Sequence, residues 1–197
     1  MCTVNVRSDD QKCFIWSVLA SLYPPPNHPY RQSHYAKYVH TLNVDGLSFP
    51  LQIKDIPKFE AKNPTISVNV LSLDERDFCI EYCSPERKRL HHVNLLLLGE
   101  DGTDKRHYIC IRNMSRLVGD RTKYNGRIYV CNGCLHPFTR KDLLDNHISN
   151  CLRNPPQTVK YPDPQDKDKS TIKFADYKKQ FRLPFFLVCD FEAFCHR

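Results

Sequence analysis

The period of the apolar positions changes once in the first half of the chain. In residues 13–23, Phe14, Val18, Leu19 and Leu22 recur at the spacing of one helix face, with capping residues Ser8 to Asp10 before them and Pro24-Pro25-Pro26 after them. A second helix is predicted over residues 33–42, closed between Asn43 and Gly46. Beyond it, residues 66–71, 78–82, 93–98 and 108–111 read as strands, and EDGTDKR before the last of these carries the turn residues of a hairpin. Helices followed by an antiparallel sheet predict an α+β domain over residues 1–120.

Residues 119–126 are polar and carry little apolar pattern, which predicts a boundary before a small domain at 127–153. A linker is predicted over 154–182, because Asn154 to Ser170 holds four prolines and several charges. An apolar strand, PFFLVC, then opens a further segment at 183–197 and runs into Asp190 and Glu192. The sequence stops soon after that strand, and the expectation is a fragment of a longer reading frame.

The small domain carries the clearest chemistry. In YVCNGCLHPFTRKDLLDNHISNC, two residues separate Cys131 from Cys134, twelve separate Cys134 from His147, and three separate His147 from Cys151. A two-residue knuckle presents two thiolates, and one helical turn brings His147 and Cys151 to the same side, which suits tetrahedral zinc. Tyr129, Phe138 and Leu144 stand where a ββα finger needs its small apolar core. Counted back from His147, Arg140, Leu143 and Asn146 fall at the helix positions that face base edges in DNA-reading fingers. A lone finger spans only about three base pairs, so a structural or protein-binding finger is the alternative.

Composition narrows the class. With 41% hydrophobic residues the chain can fill a core, and none of its apolar runs reaches the ~20 residues of a membrane-spanning helix. No leader-like apolar stretch opens it, so the ten cysteines read as reduced thiols of an intracellular protein rather than a disulfide framework. A net charge of +7 favours a polyanionic partner without requiring one.

Asp190 and Glu192 are two apart at a strand end, so both carboxylates point the same way and can share a divalent metal. The finger, the proline-rich spacer and LPFFLVCDFEAF together resemble the region leading into the first exonuclease motif of protein-primed family B DNA polymerases from Maverick/Polinton-type transposons. CFIWSVLASLYPPPNHPYRQSHYAKY, DIPKFEAKNPTISVNVL, HHVNLLLL and HYICIRNMSRLV are similar to what precedes the finger in such proteins. The resemblance implies that Asp190 and Glu192 match the first two metal-binding carboxylates of a 3′–5′ exonuclease, incomplete here, with magnesium bound only in an extended protein. It also implies neither polymerase nor exonuclease activity from residues 1–197 alone. Arg140, Lys141 and the net basic charge predict weak, largely electrostatic nucleic-acid association, and the expected setting is nuclear.

A second catalytic reading competes. Cys13 opens a helix, where the dipole lowers a thiol pKa, and His107 opens a strand. This order resembles OTU-like and papain-like cysteine proteases, which implies Cys13 as nucleophile and His107 as base. Asn113 or Asp120 would then orient the base, with Asp10 near the oxyanion site. No Gly precedes Cys13 as the OTU pattern has it. Cys79, Cys83, His91 and His92 make another conceivable zinc set, set against a simpler reading as core cysteines and loop histidines.

Overall fold

The computed structural model describes residues 2–74, 77–99, 106–119, 124, 126–154, 165–166 and 170–171. They divide into two compact units, Met1–Pro156 and Gln157–Arg197. In the second unit the Ser170 N–H donates to Asp166 O at 2.8 Å. Most of the predicted linker, the predicted strand at 183–197, and Asp190 and Glu192 lie outside the described residues.

In chain order the first unit holds β1 (Thr3–Val4), α1 (Cys13–Leu22), α2 (Ile56–Lys62), β2 (Ile66–Asp74), β3 (Asp77–Cys83), β4 (His91–Leu98), β5 (His107–Ile111) and α3 (Met114–Gly119). The finger follows as β6 (Tyr129–Val130), β7 (Pro137–Phe138) and α4 (Lys141–Arg153). The class is α+β, and the four predicted strands are all present.

The sheet, however, is mixed rather than antiparallel, with strand order β1-β5-β4-β2-β3. β2 runs antiparallel to β3 and parallel to β4. A parallel neighbour usually needs a long crossover. Here β3 returns the chain to the starting end of β2, and the short segment between Cys83 and His91 steps across that end. Arg89 anchors the step, its guanidinium donating to Glu60 O at 2.7 Å and Ile66 O at 2.6 Å. Antiparallel pairing does hold for β4 with β5, from Leu95↔Cys110 to Leu98↔His107.

Two helical expectations also change. α1 is buried from Cys13 to Ala20 on every side, so it is a core helix and not an amphipathic one. Over the predicted second helix the chain forms two 3-10 segments, Gln32–His34 and Ala36–Thr41. This stretch is rich in aromatic and β-branched residues, which lose side-chain freedom in an α-helix. Its tyrosines find tertiary partners instead, Tyr35 OH donating to Pro29 O and Tyr38 stacking on Tyr23 with ring centroids 4.0 Å apart. α2 was not anticipated, being too short for its period to register.

The sheet separates two apolar clusters. On one face Val68, Val70, Leu95, Tyr108 and Cys110 pack with α1 and α2, and Phe14 meets Phe59 and Tyr108 edge-on at 5.1 and 5.3 Å. On the other face Leu71, Leu96, Ile109 and Ile111 form a smaller cluster, covered by Met114 and Leu117 of α3 and by Leu135 of the finger.

Candidate metal centre

Finger geometry begins at the knuckle. Leu135 N donates to Cys131 O at 2.8 Å and Cys131 N to His136 O at 3.0 Å, which folds residues 131–136 into a tight turn. Leu135 closes it with φ at +60°, a left-handed conformation that a leucine adopts at a cost of about 1–2 kcal/mol. Its side chain then reaches the smaller sheet cluster, so strain in the turn is offset by burial on the sheet. Phe138 and His147 lie 4.9 Å apart, ring to ring, and hold α4 against the hairpin.

Cys131, Cys134, His147 and Cys151 present ligand atoms that all lie within 4.8 Å of one another, so the four can hold a metal ion. Cys131 Sγ and Cys151 Sγ stand 3.7 Å apart, and Cys134 Sγ lies 3.2 Å from His147 Nε2. Tetrahedral zinc with ligands at about 2.0–2.3 Å needs edges of roughly 3.5–3.8 Å. The sulfur pair meets this and the sulfur–nitrogen pair is slightly tighter. Burial, then the adjacent Cys131 sulfur, pushes the Cys151 thiol up to about 12 in the ion-free chain. Sulfurs crowded this closely cannot all ionise without a cation among them. The donor set, soft sulfur and imidazole nitrogen without carboxylate, suits zinc rather than magnesium.

Three asparagines join the finger to the sheet. Asn69 and Asn94 are register partners on β2 and β4. Asn69 Nδ2 donates to Asn94 Oδ1 at 3.0 Å and to Asn132 O at 2.9 Å, while Asn94 Nδ2 reaches Asn132 Oδ1 at 3.3 Å. Ser84 N completes the buried Asn69 by donating to its Oδ1 at 3.0 Å. Cys83 Sγ donates to Gly133 O at 3.2 Å, so the knuckle's backbone carbonyls are met from β2 and β3. Sequence reasoning missed this junction. Its signal was an asparagine between apolar residues in both strands, Val68-Asn69-Val70 and Val93-Asn94-Leu95, where a buried amide demands partners.

The other candidates fare differently. Arg140, Leu143 and Asn146 are solvent-exposed. Arg140 Nε donates to Asp142 Oδ1 at 2.9 Å, and this bond holds the Asp142 carboxyl below its ordinary value. Cys13 and His107 do not meet. Tyr108 and Cys110 of β5 face α1, so the alternating His107 projects from the opposite face, where Nε2 meets Asn5 Oδ1 at 2.7 Å. Burial raises the Cys13 thiol pKa instead of lowering it, Asn113 Oδ1 is taken by Arg116 N, Asp10 accepts from Trp16 Nε1, and Asp120 lies outside the described residues. Cys79, Cys83, His91 and His92 do not converge as a ligand group either, since Cys83 serves Gly133 and His92 Nδ1 contacts Ser67 Oγ at 2.6 Å. Among the described residues no helix is long and apolar enough to cross a membrane.

Comparison with family models, curated proteins and solved structures finds no match for this chain.

Proposed function

We propose that the chain is a zinc-stabilised, nucleic-acid-associated module in which the ion fixes α4 and its outer face meets the polyanion. The reading rests on one arrangement. Cys131, Cys134, His147 and Cys151 gather on the inner side of the finger, while Arg140, Lys141, Leu143 and Asn146 stand exposed at and along the start of α4. Arg140 and Asn146 have the donors that pair with guanine and adenine edges, and Lys141 suits phosphate. The net charge of +7 supplies a long-range attraction.

Binding of a fluorescent DNA duplex, followed by anisotropy at rising salt, tests this. Two phosphate contacts, from Arg140 and Lys141, predict a loss of about 12-fold between 50 and 200 mM salt, with little sequence preference. Arg140→Ala with Lys141→Ala should flatten that slope. Absence of binding at low salt, or binding indifferent to salt, would overturn the nucleic-acid reading and favour a protein-interaction finger.

The wider setting we propose is the N-terminal region of a transposon-type family B DNA polymerase, supported by the resemblance of the finger and the strand before Asp190 and Glu192. Two carboxylates alone hold magnesium poorly, since the ion gives up water reluctantly. Residues 1–197 should show no nuclease activity, and an extended protein should degrade single strands in a metal-dependent way that Asp190→Ala and Glu192→Ala abolish. Persistent degradation in that double variant would refute the assignment.

A further inference from the structure

Arg87 lies in the segment that steps from β3 to β4, and its side chain crosses onto the finger. Its Nη1 donates to Cys151 Sγ at 3.0 Å, to Cys151 O, and to Asn154 O at 3.2 Å. Nε and Nη2 are buried without a hydrogen-bond partner. No carboxylate pairs with this guanidinium among the described ion pairs, in contrast to Arg89 with Glu86 and Arg140 with Asp142. A cation so placed is costly unless an anion answers it.

The metal centre is that anion. Three thiolates and a neutral imidazole around a divalent ion carry a net charge of about −1 by formal count. One guanidinium returns the sum to zero, and its bond to sulfur is the charge-assisted kind that second-shell groups make to metal ligands. The knuckle is shaped to admit it. A Cβ on Gly133 would stand 3.2 Å from Arg87 Cδ and 3.3 Å from Cys151 Sγ, so the guanidinium stem occupies the space that glycine leaves.

We infer that Arg87 is the counter-charge of the metal centre, a positioning residue from the segment between β3 and β4 that neutralises the thiolate cluster and makes ion binding and docking of the finger one event. This rests on the zinc reading above. It extends that reading from four ligands within the finger to a fifth residue 44 positions before Cys131.

The test loads the full chain with cobalt(II), whose d–d bands report tetrahedral ligation and whose near-ultraviolet bands report sulfur-to-metal charge transfer. A chromogenic chelator then measures zinc affinity. Arg87→Gln should keep the tetrahedral d–d bands, shift charge transfer to lower energy, and weaken zinc by about 10–100-fold. Arg87→Lys keeps the charge without the fork and should recover most of the affinity. Alkylation of Cys151 by iodoacetamide in the zinc-loaded chain, forming a thioether and releasing iodide, should be faster in Arg87→Gln, because an unbonded thiolate is the stronger nucleophile.

Unchanged affinity and charge transfer in Arg87→Gln would overturn the inference while leaving the zinc site standing. So would an affinity loss that Arg87→Lys fails to recover, since that marks a packing role. Absence of tetrahedral cobalt bands in the unaltered chain would instead sink the zinc reading itself, and this inference with it.

Discussion

The sheet and the finger sit in one compact unit yet are held together by opposite chemistry. The sheet closes on a continuous apolar cluster that runs from Val4 through Phe14 and Phe59 to Cys110. In the finger, Phe138 and Leu144 are only partly buried, while the metal-ligand candidates Cys131 and Cys151 are buried. A region with little apolar burial cannot offset its conformational entropy by packing alone. Removal of one atom, a bound ion, should cost the finger more than removal of any side chain costs the sheet.

Metal removal is therefore the largest effect expected. Structural zinc contributes an apparent ~10–16 kcal/mol in isolated fingers at neutral pH. Chelation, or Cys134→Ser, should erase amide protection over residues 129–153 while α1 and β2 to β5 stay protected in hydrogen exchange. Ion binding should also depend on pH. In the loaded chain the thiolates must stay deprotonated, so zinc should be released as pH falls. Collapse of the whole sheet on chelation would erase the distinction between the regions.

An intermediate effect is expected from Phe14→Ala. Phe14 is fully buried between Phe59 and Tyr108, and its loss should destabilise the sheet by about 3–5 kcal/mol in denaturant melts. Zinc stoichiometry of the folded protein should not change. A smaller effect, about 1–3 kcal/mol, is expected from Asn94→Ala, which deletes the acceptor for Asn69 Nδ2 and the donor to Asn132 Oδ1. This variant should loosen the knuckle, seen as faster exchange at Asn132 and Gly133, with the sheet core unmoved.

How much of this was legible in the sequence follows the same division. The ligand spacing from Cys131 to Cys151 is local, and four residues on one knuckle and one helix turn can be read without knowing what lies around them. The strands were legible from their runs of Val, Ile and Leu. Pairing was not, because the parallel contact of β2 with β4 depends on where β3 leaves the chain, which no window of residues records. Face assignment failed likewise for Cys13 and His107, since each sits plausibly at its own element's start and only the assembled sheet puts them on opposite sides. Arg87 reads as one charge among ERKR until the finger is folded over it.

The register of β1 has a consequence in time. Thr3 pairs with Ile111, and Cys2 O accepts from Arg112 N and Asn113 N, so Cys2 and Thr3 wait for more than a hundred later residues to be made before their partners exist. At about 5–20 residues per second that wait lasts some seconds. Asn69, Asn94 and Arg87 are all made before Cys131 emerges. Synthesis thus runs from scaffold to clasp, and an ion taken up by the knuckle would meet a docking surface already laid down.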